Sequence, residues 1–68
     1  MNNDTFNMEL RKYLKRVGVT SQRELENAVQ QAMADGKLRG NETLKVKVVL
    51  TVEGLDLHHT VDGEIGLE

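Results

Sequence analysis

The sequence predicts an α+β domain in which two antiparallel helices precede an antiparallel β-hairpin and pack on one of its faces (ααββ). Two observations support this prediction. Apolar residues recur at helical spacing in the first half of the chain, and they alternate with polar residues in the last third. Helices grouped before strands are typical of an α+β layer. The predicted elements of this single domain, 1–68, are helices at about 4–17 and 21–35 and strands at about 43–52 and 55–66.

The first helix is predicted from its capping residues and from one apolar stripe. Asn3 and Asp4 are residue types that cap helices, and Gly18 supplies the flexible residue at which helices commonly end. The apolar positions follow i, i+4, i+7, i+8 and i+11, which places them on one face. They are Phe6, Leu10, Tyr13, Leu14 and Val17.

The second helix is predicted from a capping box. Ser21 and Glu24 stand three residues apart, the spacing at which a serine and a glutamate satisfy each other's amides. Asp35-Gly36 marks the helix end, and residues 37–42 form a loop. The predicted buried face comprises Leu25, Ala28, Val29, Ala32 and Met33.

The hairpin is predicted from a change in the phase of alternation. Apolar residues occupy even positions from Leu44 to Val52 and odd positions from Leu55 to Leu67. A two-residue loop at Glu53-Gly54 would pair residues whose numbers sum to 107, so that both apolar sets share one face. That register places Val46 opposite Val61, Val48 opposite His59, and Lys45 opposite Asp62. Asp62-Gly63 is itself a strong turn dipeptide, but a turn there would put Ile65 on the polar face. We therefore interpret Gly63 as a bulge within a continuous strand and keep the second turn as the alternative.

Composition restricts the classes of function. The chain has 68 residues, no cysteine, a net charge of −2 and only two aromatic residues. Disulfides and thiolate zinc sites are therefore excluded, and no basic field or stacking surface favours nucleic acid. The N-terminal residues are polar and no apolar run has the length of a membrane span, so we expect a cytoplasmic protein without a cofactor. Leu67-Glu68 fits either a native end or a tag.

Four segments of the chain resemble a family of small bacterial proteins of unknown function. They are NNDTFNMELRKYLKRVG (2–18), GKLRGNETLK, LTVEGLDLHHTVDGEI and, most distinctively, VGVTSQRELENAV. The resemblance covers nearly the whole chain. It implies a stand-alone bacterial domain and carries no activity, ligand or catalytic residue.

A group of cations on the helices is the candidate anion or nucleic-acid contact. Their density could serve phosphate binding, and the segment around Ser21 has the form of a turn into a recognition helix. The simpler interpretation, which we prefer, is a solvated face favoured by the helix dipole. The residues are Arg11, Lys12, Lys15, Arg16 and Arg23.

No residue pattern indicates catalysis or metal binding. His58 and His59 are strand neighbours and point to opposite faces, so they cannot chelate one ion together. We expect His59 to be a hydrogen-bonded core residue. Ser21 is accounted for by capping, and so small a chain has little volume for a substrate pocket.

The edges of the hairpin are the predicted place of function. An isolated hairpin is marginally stable and both of its edges carry free backbone groups. The predicted edge-pairing residues are Lys45, Lys47, Val49 and Thr51. Pairing with a second copy would complete a four-stranded sheet, while a monomer capped by its own helices remains the alternative. The sequence thus favours a non-enzymatic module that binds itself or another protein, with weak binding of nucleic acid or acidic surfaces as the second possibility.

Overall fold

A computed structural model describes residues 1–68 as one helix followed by one hairpin. The elements are α1 (Asn3–Ala34), β1 (Thr43–Thr51) and β2 (His58–Gly66). The α+β class is confirmed, whereas the prediction of two helices is wrong. The chain divides into two compact units, 1–37 and 38–68, and each is described by itself. No helix combines the length and the apolar character needed to cross a membrane.

The predicted turn at Gly18 is absent because α1 continues through it without a positive φ. Glycine in a helix interior costs only about 1 kcal/mol relative to alanine, whereas a break would forfeit several backbone hydrogen bonds of roughly 0.5–1.5 kcal/mol each. Across the glycine, the Thr20 hydroxyl donates to the Arg16 carbonyl oxygen at 2.8 Å. The predicted capping pair Ser21 and Glu24 therefore lies inside the helix and caps nothing.

The apolar residues of the two predicted helices are in phase, so the single helix carries one continuous stripe. At about 100° per residue, nine apolar or small side chains fall within an arc of about 120°, which also contains the polar residues Asn3, Asn7, Glu24 and Gln31. Val29 and Met33, predicted for the buried face, lie outside this arc. We call the nine residues the helix stripe: Phe6, Leu10, Tyr13, Leu14, Val17, Ser21, Leu25, Ala28 and Ala32.

Both ends of α1 are capped. The N-cap is Asn2, one residue earlier than predicted, and its side chain accepts from the Thr5 amide at 3.1 Å. At the other end Gly36 has a φ of 77°, its amide donates to the Met33 carbonyl at 3.1 Å, and the Lys37 amide donates to the Ala32 carbonyl at 2.8 Å. These two bonds satisfy carbonyls that a helix end leaves free, so the predicted end of the helical segment at Asp35-Gly36 is confirmed.

The hairpin forms with a register shifted by two from the predicted one. Paired residues sum to 109, because Thr51 pairs with His58 and six residues separate the strands. The chain still reverses at Glu53-Gly54, where the Leu55 amide donates to the Val52 carbonyl at 3.3 Å. Since 109 is odd, as 107 is, even positions still face odd ones and both apolar sets share one face.

The shift has its cause in the turn. Gly54 has a φ of 83°, but no residue other than glycine has a positive φ, so Glu53 does not. Tight two-residue hairpins require a positive φ at the first central position, which a glutamate adopts only at a cost. The turn that forms instead splays the strands, and the ladder starts only at residues 51 and 58.

Strand β2 runs without interruption through Asp62-Gly63. Every residue from 58 to 66 pairs with one residue of β1, so the position is neither the predicted bulge nor the alternative turn. On the polar face Lys45 lies opposite Glu64, not Asp62 as predicted, and Lys47 lies opposite Asp62. The predicted single opposite-charge pair is thus replaced by two.

Candidate interaction surfaces

The helix stripe is an apolar surface in wide contact with solvent. No residue of the protein is buried, and Phe6 and Leu14 are 50% and 54% exposed. Its N-terminal half carries the large side chains, while Ser21, Ala28 and Ala32 make the C-terminal half thinner. Val19 and Met8 are exposed apolar residues on the opposite side of the helix.

The hairpin presents a second apolar surface, which we call the hairpin face. Its residues are Leu44, Val46, Val48, Leu50, His59, Val61 and Ile65. Val48 and Val61 are about half exposed and the others are intermediate or exposed. His59 lies opposite Leu50, not Val48, and is exposed, so the prediction of a core histidine is wrong. The two strands alone supply no layer that could bury it.

The predicted edge-pairing residues all lie on the other face of β1. Lys45, Lys47, Val49 and Thr51 are exposed and alternate with the apolar positions. Each strand has a single neighbour in the sheet, so the hairpin leaves one edge of each strand without a strand partner. These open edges have the geometry that the addition of a further strand requires.

The predicted cationic residues lie on one continuous helix. We call Arg11, Lys12, Lys15 and Arg16 the basic cluster, and Arg23 follows two turns later. The Arg16 guanidinium carbon is 5.5 Å from the centroid of the Tyr13 ring, a cation–π distance. Shallow open depressions beside the cluster are lined by Lys12, Lys15 and Arg16 together with Glu9, Tyr13 and Val19, and by Asp4, Asn7, Met8, Arg11 and Lys12.

The structure does not arrange these cations as a helix-turn-helix. Residues 18–29, predicted to form a turn leading into a recognition helix, are part of α1. The five cations spread over roughly 18 Å of one helix axis, since each residue rises about 1.5 Å. No group of three or more His, Cys, Asp or Glu side chains is placed to hold a metal ion.

Glu42 organises the segment before the hairpin, a role that the sequence pattern did not indicate. Its carboxylate accepts from the Arg39 amide at 2.9 Å and from the Gly40 amide at 3.0 Å. The Arg39 bond is the main cause that lowers the pKa of Glu42 below its ordinary 4.5, with smaller help from Gly40. The Glu42 carbonyl in turn accepts from the Leu67 amide at 2.9 Å, which closes the open end of the hairpin. The one feature of the sequence that could have indicated this cap is the position of a glutamate three residues after Arg39 in the predicted loop.

Comparison with known proteins identifies the family of this chain. The model of a family of unknown function (DUF6494) matches residues 1–68, and this confirms the predicted resemblance to a family without an assigned activity. No curated protein and no solved structure matches the chain.

Proposed function

We propose that this chain, which belongs to the family DUF6494, is a non-enzymatic self-association module whose core is completed by a second copy. The single observation that carries the proposal is the absence of any buried side chain beside two apolar surfaces, the helix stripe and the hairpin face. The proposal includes a cytoplasmic location, supported by the lack of cysteine, because small secreted domains are usually rich in disulfides.

Energetics supports the need for a partner. A two-stranded hairpin alone is marginally stable in water, and most helical stability in proteins comes from packing of an apolar face. Complete burial of one valine, leucine or phenylalanine side chain contributes about 1.5–3 kcal/mol. Phe6, Leu14, Val48 and Val61 each keep about half of their surface in water, so much of that contribution is available to association.

The charge pattern of α1 favours a second copy as that partner. Residues 3–18 carry four cations and two carboxylates, whereas residues 19–34 carry one cation and two carboxylates. The two halves therefore have opposite net charge, and one copy of the helix is electrostatically complementary to another. The prediction of strand pairing through Lys45, Lys47, Val49 and Thr51 is a further route to the same assembly, since both edges are open.

Sedimentation equilibrium over about 5–500 μM tests the proposal on the full chain. We expect a dimer or larger species, with weaker association in the variants Leu14→Glu and Val48→Glu by at least about tenfold, which corresponds to about 1.4 kcal/mol. A carboxylate placed in an apolar contact must be desolvated, and this cost opposes assembly.

The chain offers closely matched controls for both variants. Val19→Glu places the same charge on the opposite side of α1, where the native side chain is 49% exposed. Thr60→Glu places it on the polar face of β2, where Thr60 is exposed and pairs with Val49. Both controls should associate as the native protein does. If strands pair at the β1 edge, hydrogen-exchange protection of β1 should fall on dilution. A native protein that sediments as a monomer at 500 μM contradicts the proposal.

A further inference from the structure

We propose that two copies pair through the helix stripe in antiparallel orientation, with residue i of one α1 opposite residue 38 − i of the other. This register rests on the proposed self-association and adds its orientation and contact residues. It concerns unit 1–37 alone.

Side-chain size supports this register because it places a large residue opposite a smaller one in most layers of the contact. Phe6 lies opposite Ala32, Leu10 opposite Ala28, Val17 opposite Ser21, and Tyr13 opposite Leu25. Leu14 is the exception, since it lies opposite the charged residue Glu24. Interdigitation of large and small side chains gives the density of native packing. A parallel pair would instead stack Phe6 on Phe6 and Ala28 on Ala28, which crowds one end and leaves voids at the other.

Charge supports the same orientation independently of size. The antiparallel pair places the cation-rich half of each helix, residues 3–18, beside the acidic half of its partner, residues 19–34. Arg16 of one copy then lies within two positions of Glu24 of the other. Glu24 lies within the arc of the stripe and Arg16 about 60° outside its edge on the same side, a separation that long side chains span. Parallel pairing would bring the two basic clusters to the same level of the pair, and this concentration of like charge is unfavourable.

The extent of the stripe is sufficient for a specific contact. From Phe6 to Ala32 the stripe runs for about 40 Å along the axis. Covering the exposed parts of its side chains on both copies would remove on the order of 1,000 Å² from water, near the lower limit for a stable interface. The centre of the pair falls between Val17 and Ser21. A Cβ added to Gly18 in that stretch would meet no atom within 4 Å, so the helix surface there leaves room for close approach.

Distances between spin labels test the orientation. The chain has no cysteine, so single variants Met8→Cys, Val19→Cys and Gln30→Cys each give one label per copy, on the side of α1 away from the stripe. We expect about 20 Å between the two labels at position 19, and about 40 Å at positions 8 and 30, from the helix rise and an interaxial distance of about 8–10 Å. Mixing the position 8 and position 30 variants should give about 20 Å.

Each other result has a distinct meaning. Three equal short distances would show a parallel pair and overturn the register while self-association stands. A dimer with a long distance at position 19 would show a contact outside α1 and overturn the register in the same way. A monomer would overturn both the register and the proposed function.

A residue exchange tests the register by a second route. Ala28→Leu should weaken the dimer at least about tenfold. The new leucine would face Leu10 of the partner, and by symmetry this happens twice, so both layers are overpacked. The double variant Leu10→Ala/Ala28→Leu restores one large and one small residue to each layer and should recover most of the native affinity. Equal helicity by circular dichroism verifies that each variant is folded. Native affinity in Ala28→Leu alone, or no recovery in the double variant, would contradict the pairing.

Discussion

Val46 covers Gly63 across the hairpin. The two residues are paired in the ladder, and a Cβ added to Gly63 would stand 3.6 Å from Cγ2 of Val46, an ordinary van der Waals distance. Gly63 has no positive φ. Its position is therefore regular strand with room for one methyl group, although Asp-Gly in sequence is typical of a turn.

Gly63→Ala should stabilise the hairpin by about 0.5–1 kcal/mol, because alanine loses less backbone entropy than glycine when a strand forms. Denaturant unfolding and amide exchange in β1 and β2 measure the change. Gly54→Ala is the control: a Cβ there would meet no atom within 4 Å, but its φ of 83° disfavours a side chain, so it should destabilise. Destabilisation by Gly63→Ala would indicate a bulge with unusual dihedral angles.

Gly18→Ala should raise helicity and stabilise α1 by about 1 kcal/mol, since glycine in a helix interior costs that much and no atom blocks a Cβ there. Circular dichroism at 222 nm during thermal unfolding, at one fixed protein concentration, checks this. Gly36→Ala provides the contrast, because its φ of 77° at the helix end should make the same substitution unfavourable. Loss of stability in Gly18→Ala would instead support a turn between two helices.

Asn2→Ala should reduce stability by about 0.5–2 kcal/mol and fray the first turn of α1, because the Thr5 amide would lose the side-chain oxygen that it contacts at 3.1 Å. Faster amide exchange at residues 4–6 is the expected local sign. Asn2→Asp retains an acceptor beside the positive end of the helix dipole and should preserve stability. Equal exchange rates in Asn2→Ala and the native protein would refute the cap.

The loop before the hairpin should loosen in acid. The pKa of Glu42 is lowered in the folded protein, mainly by the Arg39 amide, so its stabilising effect is present above the ordinary value of 4.5. That effect is lost as the pH falls through the lowered folded-state pKa. Carboxyl chemical shifts and exchange of the Arg39 and Gly40 amides during titration measure it. Glu42→Gln should remove this transition, and a native Glu42 that titrates at or above 4.5 would exclude the cap.

The hairpin shows how far alternation alone could lead. The two apolar sets share a face whenever the numbers of paired residues sum to an odd value, because even positions then pair with odd ones. Val48 and Val61 were therefore correctly placed on one side of the hairpin. The shift by two residues depends on Glu53, which does not take the positive φ of a tight turn. The preference of glutamate against a positive φ could be read from the sequence. The pairs that result from the shift, such as Leu50 with His59, are known only from the hydrogen-bonded strands of the structure.

The candidate surfaces were predicted in part. The cations and the exposed residues of β1 lie on the elements expected, but the turn into a recognition helix is absent because one glycine does not outweigh the hydrogen bonds of a continuous helix. The Glu42 cap was not foreseen, since it depends on how the chain folds back over three residues.

Local patterns in the sequence by themselves determined that a helical region precedes two strands and that the hairpin has one apolar face, because the spacing of apolar residues sets which side chains share a surface. The Asp35-Gly36 dipeptide likewise indicated the end of the helix. The structure decided that Gly18 lies inside one helix and that the strands pair with a sum of 109. The first outcome rests on a small difference between competing backbone hydrogen-bond arrangements, which no single residue type reports, and the second on the φ that Glu53 takes in the turn.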